Sequence, residues 1–275
     1  MIKVVTLVEN TAENNQCKTR HALSLFIETE KHKLLCDVGE NDCFIDNAKV
    51  LGVDLSAVDT LVITHGHFDH GGALESFMKI NDKAKIYIRR SAFDEYYTRV
   101  FAFHIYVGID RKLPIDSRFV FTDDVTVIDD ELTVFSAANG RKFESKMNDT
   151  ILMKVNGRYI KDTFVHEQYL YITDGKKRLL LTGCSHAGIY NIIERFESVI
   201  DTTDGAVVIG GFHLHDPVGH RYEKEERINA LSDALLEKGY KYYTCHCTGP
   251  KAYRIMKKRM GDRIDYCGGG KIITL

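Results

Sequence analysis

Apolar and polar positions in the first part of the chain alternate between short apolar runs and segments with helical spacing. The short runs predict strands at residues 2–8, 23–29, 32–36, 61–63 and 84–88. Apolar residues recur at helical spacing in 42–51 and 72–80, and Gly52 is placed to end the first of these helices. Strands that alternate with helices in this way are typical of one layered half of an α/β sandwich.

The later part of the chain is richer in predicted strands. We interpret six of them as a second sheet, at residues 119–121, 125–128, 132–136, 150–155, 167–173 and 179–181. Beyond them, predicted strands at 206–209 and 241–244 alternate with predicted helices at 189–196, 223–238 and 250–260. The whole pattern predicts one domain of the α/β (α+β) class that spans residues 1–275.

Between these two parts, approximately at residues 91–118, the periodicity is weak and aromatic residues are crowded together. The aromatic residues of this segment include Phe93, Tyr96, Tyr97, Phe101, Phe103 and Tyr106. We interpret the segment as an insertion. It could form a wall or lid over a neighbouring site, or a satellite hydrophobic cluster that closes one end of the core.

Composition limits the partners of the chain. Lysine and arginine number 37 against 39 acidic residues, so the formal net charge of -2 gives no general basic surface for nucleic acid. No apolar run is long enough to cross a bilayer, so we expect no membrane partner. The seven cysteines are odd in number and irregularly spaced, and residues 1–8 read as a strand rather than an export signal. These features predict reduced thiols and a cytoplasmic location.

Candidate metal ligands follow the predicted strand at 61–63. The sequence there reads Leu-Val-Ile-Thr-His-Gly-His-Phe-Asp-His-Gly-Gly-Ala-Leu, which places His65, His67, Asp69 and His70 within six residues. In extended backbone, residues two apart point to the same side, so His65 and His67 can hold one ion while Asp69 and His70 reach a second. Imidazole and carboxylate suit zinc, iron or manganese. The cluster therefore predicts two divalent metal ions, with zinc as the first choice.

Three later strand ends also deliver candidate functional residues. Cys184 and His186 follow the strand that ends near residue 181, and we predict His186 as a ligand because it shares the strand-end placement of the first cluster. Cys184 could be a ligand thiolate or a small buried residue. His213 follows two glycines after the next strand and could polarise a substrate, lie against the metals or be structural. His246 lies in Cys-His-Cys-Thr-Gly after the last strand of this series.

The motif Thr-His-Gly-His-Phe-Asp-His-Gly-Gly-Ala resembles the His-x-His-x-Asp-His signature of the metallo-β-lactamase superfamily, and the resemblance extends over nearly the whole chain. It implies an αββα four-layer sandwich that carries metal-dependent hydrolytic chemistry. It also implies that His246 is the sixth metal ligand, and that Asp37 lies beneath the site and accepts a hydrogen bond from a ligand histidine. From the residues alone, Asp37 could equally be a turn aspartate. Most of the superfamily has an aspartate where this chain has Cys184, and completes the first site with an earlier histidine.

The loops Gly-Cys-Ser-His-Ala-Gly, Gly-Gly-Phe-His-Leu and Cys-His-Cys-Thr-Gly resemble one branch of that superfamily, the dihydropterin-type synthases. We expect a hydrolase that acts on an ester or phosphoester of a small molecule, one that carries a phosphate, through a metal-bound hydroxide. Asp69 and His213 are the predicted catalytic residues. One alternative is a pterin-type transferase that joins a pterin pyrophosphate to a phosphoribosyl-aminobenzene. Another is a non-hydrolytic metal or redox sensor protein.

Overall fold

The computed structural model describes all of residues 1–275, and it contains twenty strands and six α-helices. The strands β1 to β20 are, in chain order, Lys3–Val8, Ser24–Glu28, Lys33–Cys36, Thr60–Val62, Lys85–Ile88, Tyr96–Val100, Phe103–Tyr106, Phe119–Phe121, Val125–Val127, Leu132–Ser136, Ile151–Val155, Arg158–Lys161, Gln168–Thr173, Arg178–Leu181, Val207–Gly210, His215–Asp216, Arg221–Tyr222, Lys241–Thr244, Ile264–Tyr266 and Ile272–Thr274. The helices α1 to α6 are Cys43–Leu51, Phe68–Gly71, Leu74–Ile80, Ile189–Val199, Glu225–Lys238 and Pro250–Met260.

Two seven-stranded sheets form the centre of the fold. Their strand orders are β20-β1-β2-β3-β4-β5-β8 and β19-β18-β15-β14-β13-β10-β9. Within the first sheet, β3, β4, β5 and β8 are parallel, and within the second, β14, β15, β18 and β19 are parallel. The carboxyl ends of parallel strands meet at one edge of a sheet, so the loops that follow β4, β14, β15 and β18 can assemble a common site there.

Three hydrophobic clusters separate four layers. One lies between the two sheets and includes Val62, Leu181 and Ile209. A second packs α1 and α3 against the outer face of the first sheet through residues such as Phe44 and Phe77. The third packs α4, α5 and α6 against the second sheet. This αββα arrangement confirms the predicted fold class, and none of its helices has both the length and the apolar character needed to cross a bilayer.

The prediction of the second sheet was wrong for two strands. β8 lies at the edge of the first sheet, where it pairs in parallel with β5. β11 lies outside both large sheets, because it pairs with β6 on one side and β12 on the other. Hydrophobic periodicity identifies a strand but not its partner, and these partners are distant in sequence. For the same reason the pattern gave no sign that β20 closes the first sheet beside β1.

The aromatic insertion is a β-hairpin, β6–β7, that joins the β11–β12 hairpin in a four-stranded sheet. At its tip, Phe101 and Phe103 are 95% and 73% exposed, whereas Tyr96 is fully buried and Phe93 packs against the core outside the first sheet. The segment therefore divides: its base closes the core and its tip projects into solvent. The predicted helix at 72–80 corresponds to α3, and a separate short helix, α2, precedes it inside the histidine motif.

Candidate metal centre

The histidine motif lies where β4 ends and α2 begins. His65 and His70 are fully buried, and His67 and Asp69 are 5% and 8% exposed. Gly72 allows the chain to fold back at this point, since a Cβ there would overlap the carbonyl oxygen of Phe68 and crowd that of Glu40. The motif therefore presents all four predicted ligands from one tightly wound segment.

Hydrogen bonds to Nδ1 fix the orientation of several candidate ligand histidines. His70 Nδ1 donates to Asp37 Oδ2 at 2.6 Å, the contact that the resemblance implied for Asp37. Asp37 itself is held by Thr64, whose backbone N–H donates to Oδ1 at 2.7 Å and whose hydroxyl donates to Oδ2 at 2.8 Å. His65 Nδ1 lies 3.0 Å from the Thr64 hydroxyl. A histidine whose Nδ1 carries the proton has an unprotonated Nε2 that can bind metal.

His186 and His246 are held by two clamps of the same design. At His246, Asn10 Oδ1 accepts from Nδ1 at 2.8 Å and Asn10 Nδ2 donates to the backbone oxygen at 3.3 Å. At His186, Asn148 does the same at 3.0 and 2.8 Å. Because the backbone oxygen can only accept, it fixes which end of each asparagine amide faces the ring. Both histidines therefore present Nε2 to the interior.

A buried glutamate completes each clamp. The backbone N–H of His246 donates to Glu9 at 2.5 Å, and that of His186 donates to Glu167 at 2.5 Å. A tyrosine hydroxyl donates to each carboxylate at 2.7 Å, Tyr266 to Glu9 and Tyr169 to Glu167. Burial raises the pKa of Glu167 to about 7, against the opposing effect of these hydrogen bonds. Sequence reasoning missed Glu9, Asn10, Asn148 and Glu167, because single polar residues near strand ends carry no motif.

One group of ligand atoms converges on a point between Asp69, His70 and His246. His70 Nε2 lies 3.3 Å from His246 Nε2, and His246 Nε2 lies 3.2 Å from Asp69 Oδ2. Cys184 Sγ is 3.1 Å from His70 Nε2, and one ligand atom from each of the four residues lies within 4.8 Å of the others. Facing imidazole nitrogens beside a carboxylate and a thiol fit a cation between them.

The second group surrounds His65, His67 and His186. Their ring centroids are 4.7, 5.0 and 4.9 Å apart in pairs, and the Nε2 atom of each is buried without a hydrogen-bond partner. A buried polar atom without a partner costs about 1–3 kcal/mol, so three together are difficult to explain without a ligand. Asp69 lies within 4.8 Å of His65 and His67, and Cys184 within 4.8 Å of His65 and His186. These residues fit a second divalent metal ion.

Cys184 belongs to both groups. It is buried in the loop after β14, and this loop passes so close to Thr64 that a Cβ on Gly183 would overlap the threonine hydroxyl. The structure therefore brings Cys184 to the place between the two candidate ion positions, and His186 beside His65 and His67. No histidine from an earlier loop occupies the position that His186 fills.

His213 lies on the far side of His186, with ring centroids 4.2 Å apart. Its backbone N–H donates to Cys247 Sγ at 3.3 Å, and its Nδ1 atom is buried without a partner. His215 stacks on Tyr222, with ring centroids 4.2 Å apart, and lines a pocket together with His213. His213 is thus placed beside the candidate metal groups rather than within either of them.

His166 is buried beneath the motif. Its Nδ1 accepts from the Gly66 N–H at 2.9 Å, and its Nε2 donates to Asp162 Oδ2 at 3.1 Å. The same oxygen of Asp162 is 3.7 Å from His67 Nε2. Burial opposes charge on Asp162, but His166 and His67 outweigh it and lower the pKa of this carboxyl. Asp162 is a further residue that sequence reasoning missed, because it follows β12, a strand that the pattern did not predict.

The two groups differ electrostatically. Burial and the neighbouring imidazoles hold the pKa values of His65 and His186 well below the usual range. Burial acts in the same direction on His70, but the carboxylates of Asp37 and Asp69 outweigh it and raise its pKa to about 9. Burial would raise the pKa of Asp69, yet His70 and His246 hold it well below its usual range. The Asp69 group therefore attracts positive charge, and the three histidines of the other group stay uncharged.

A pocket of about 120 Å³ opens onto both groups. His67, Asp69, Cys184 and His186 contribute to its lining. Its walls are largely apolar and include Phe68, Val107, Met147, Ile151 and Val218. The aromatic insertion contributes only Thr98 and Val107 to this wall, so its exposed tip does not cover the pocket in this structure.

Comparisons with known proteins agree with this architecture. The sequence pattern of the metallo-beta-lactamase superfamily matches residues 18–233. The chain is 29% identical over 288 aligned residues to the 7,8-dihydropterin-6-methyl-4-(beta-D-ribofuranosyl)-aminobenzene-5'-phosphate synthase of Methanocaldococcus jannaschii, with 99% of this chain and 96% of that protein covered.

Among solved structures, Tm1679, described as a metal-dependent hydrolase of the beta-lactamase superfamily, superimposes with a TM-score of 0.81 and 25% identity and covers 100% of this chain and 99% of its own. Zinc-bound PqqB from Methylobacterium extorquens, with a TM-score of 0.56, 12% identity and coverage of 99% of this chain and 100% of its own, shares the fold alone. The fold, the histidine motif and these matches together show that the chain belongs to the metallo-β-lactamase superfamily.

Proposed function

We propose that the protein is a metal-dependent hydrolase that acts on an ester or phosphoester of a small, phosphorylated molecule. The observation that carries this proposal is the convergence of imidazole Nε2 atoms, three of them buried without a hydrogen-bond partner, on two adjacent positions beneath one pocket. Because the loops that contribute these atoms come from both sheets, we take residues 1–275 to act as one domain.

His65, His67 and His186 would hold one divalent ion, and Asp69, His70 and His246 the other. Cys184 would lie between them as a shared thiolate ligand, in the place of the more common aspartate. Zinc is the first choice, because it accepts imidazole, carboxylate and thiolate together, and iron or manganese is the alternative. When bound, such an ion pair lowers the pKa of water and polarises a substrate oxygen.

The chain's own residues would divide the remaining work. The Asp69 carboxylate accepts a proton from the attacking water and fixes its direction toward the pocket. His213, beside the His186 ring, donates a hydrogen bond to the negative charge that develops on the substrate oxygen. The apolar walls around Ile151 and Val218 exclude water and so strengthen both interactions.

Purified protein with two zinc ions, offered generic phosphodiesters, esters and lactones, tests this proposal. Hydrolysis of at least one class is expected, and His67→Ala should abolish it. His104→Ala is the matched control, because His104 is exposed in β7 and stacks only on Tyr159, away from the pocket. A fully loaded protein that hydrolyses nothing, or a His67→Ala variant as active as His104→Ala, would contradict the proposal.

A second candidate is a pterin-type transferase that joins a pterin pyrophosphate to a phosphoribosyl-aminobenzene. It is favoured by the 29% identity to a synthase of that kind over 99% of the chain. The two metal positions would then hold the pyrophosphate leaving group, and the apolar pocket walls would pack against a ring. Incubation with a hydroxymethylpterin pyrophosphate and a phosphoribosyl-aminobenzene separates the two functions. A coupled product supports the transferase, and free hydroxymethylpterin with released pyrophosphate supports the hydrolase.

A further inference from the structure

The two asparagine clamps differ in one respect. Asn148 uses its amide N–H groups only on the backbone of His186, whereas Asn10 Nδ2 also reaches His21 Nδ1 at 3.1 Å. His21 lies between β1 and β2 in a segment without a motif, and its ring centroid is 4.6 Å from that of His246. The side chain is 35% exposed and lines the pocket. Only the clamp on the Asp69 side therefore contacts a second imidazole through its asparagine.

The hydrogen bonds of Asn10 determine which nitrogen of His21 carries the proton. The backbone oxygen of His246 accepts from Asn10 Nδ2, so the amide cannot be turned around without facing two oxygens toward each other. Asn10 Nδ2 is therefore the donor toward His21, and His21 Nδ1 is the acceptor. The proton of a neutral His21 ring must then be on Nε2, the nitrogen that lies 3.5 Å from Asp69 Oδ2.

Three imidazole Nε2 atoms surround Asp69 Oδ2, those of His246 at 3.2 Å, His21 at 3.5 Å and His70 at 3.9 Å. When an ion occupies the second position, His246 and His70 keep their protons on Nδ1, where Asn10 and Asp37 accept them, and their Nε2 atoms face the ion and do not donate to Asp69. We propose that His21 is a positioning residue, whose Nε2–H donates to Asp69 and holds this carboxylate toward the two candidate ion positions. Asn10 sets opposite tautomers in the two rings that it contacts.

This inference rests on the proposed function, because it gives Asp69 the task of orienting the attacking water. A carboxylate oxygen has two lone pairs, so Oδ2 can face an ion with one and His21 with the other. Without the His21 donor the carboxylate is free to rotate, and the second ion loses one fixed ligand. Partners of this kind typically contribute 10–100-fold to metal affinity.

Four variants of the full chain test the role of His21: His21→Ala, His21→Gln, Asn10→Asp and the control His104→Ala. Zinc affinity is measured by chelator competition without substrate, and the visible spectrum is measured after cobalt loading. We expect His21→Ala to weaken the second ion by about tenfold, change the cobalt spectrum and lower kcat more than it raises KM. His21→Gln should restore most of the affinity, because its amide N–H replaces the Nε2–H donor.

Asn10→Asp separates positioning from packing. A carboxylate at this position still accepts from His246 Nδ1 but can donate neither to His21 nor to the His246 backbone oxygen, so the His21 proton should move to Nδ1. The ring stays in place while the donor to Asp69 is lost, and we expect the same tenfold loss as in His21→Ala. Nitrogen-15 NMR of the metal-free proteins should find the proton of His21 on Nε2 in the wild type and on Nδ1 in the variant.

Two results would overturn the role of His21. One is a wild type that binds two ions while His21→Ala matches His104→Ala in affinity, spectrum and kcat, which leaves the proposed function intact. The other is an Nδ1-protonated His21 in the wild-type protein, whatever its activity. A wild type that binds two ions but hydrolyses no substrate contradicts the proposed function alone, since the affinity and NMR results still decide the role of His21.

Discussion

The two candidate ion positions are built alike but charged differently. Each is closed by a histidine held by a buried glutamate and an asparagine, His186 in the first position and His246 in the second. The first position is formed mainly by imidazoles, with Asp69 and Cys184 shared at its edge, whereas in the second Asp69 lies directly beside His70 and His246, and Asp37 lies behind His70. The clamps therefore fix the geometry of both positions, and the carboxylates decide how strongly each position attracts a cation or a proton.

The difference predicts unequal loss when a charged ligand is removed. Asp69→Asn keeps the size of the side chain but removes the carboxylate charge that faces both positions. We expect activity to fall by about 10³-fold and the bound zinc to fall from two ions to one, measured by hydrolysis rate and elemental analysis. If the variant retains two tightly bound ions, the two positions do not differ in their dependence on the Asp69 carboxylate.

Substitution of Cys184 tests whether the two positions share its sulfur as a ligand. Since its sulfur lies near ligands of both groups, Cys184→Ala should weaken both ions, each by about 100-fold, in chelator competition. Cys184→Asp introduces the carboxylate found in most of the superfamily and should restore binding of two ions. If only one ion is affected by Cys184→Ala, the thiolate belongs to a single position.

The pH dependence of the metal-free protein should come largely from the second position. The pKa of His70 is raised to about 9 in the folded protein, against about 6.5 when unfolded, so its contribution to stability is complete below pH 6.5 and lost as pH rises through 9. The maximum effect is about 3 kcal/mol in the free energy of unfolding. Denaturant titrations at pH 6.5 and 9 measure it, and His70→Asn should remove most of the difference.

Metal affinity should have the opposite pH dependence to the stability of the metal-free protein, because an ion at the second position must displace the His70 proton. Zinc affinity there should rise by up to about tenfold per pH unit until pH 9, while the first position, whose histidines already lack a proton, changes little. A second-position affinity that does not change between pH 7 and 9 would contradict the assigned role of His70.

The smallest expected effects come from Asn148 and Asp37, which accept hydrogen bonds from His186 and His70. Asn148→Ala should weaken only the ion at the first position, by about tenfold, because it frees the His186 ring. Asp37→Asn should weaken only the ion at the second position, by up to about 100-fold. An amide N–H at residue 37 can donate to His70 Nδ1, which leaves the His70 proton on Nε2, the nitrogen that would bind the ion. Calorimetric titrations that resolve two binding events measure both. An equal loss at both positions would mean that the positions are coupled rather than separate.

The parts of the site that follow strands could be predicted from the sequence. His65 to His70 are consecutive after a recognisable strand, and His186, His213 and His246 each follow another. The structure places all of these side chains around one pocket, although their roles as ligands and catalysts stay predictions. The layered fold was confirmed because alternating strands and helices leave few other arrangements.

The clamps could not be predicted, for a physical reason. Glu9, Asn10 and His21 act on His246, which is more than 220 positions away in sequence, through contacts that exist only once β1 and β18 are in their sheets. Isolated polar residues in a loop have no periodicity that reports burial. The same limit explains why β8 and β11 were assigned to the wrong sheet, since a strand's partner is set by packing between distant segments.

The most direct test of the central claim is a crystal structure of the zinc-loaded protein with anomalous data at the zinc edge. Two anomalous peaks are expected. One should lie about 2.0–2.1 Å from nitrogens of His65, His67 and His186, and the other at similar distances from Asp69, His70 and His246, with Cys184 Sγ between them. A single peak, or peaks that leave the unpartnered Nε2 atoms of His65 and His186 without a bound ion, would contradict it.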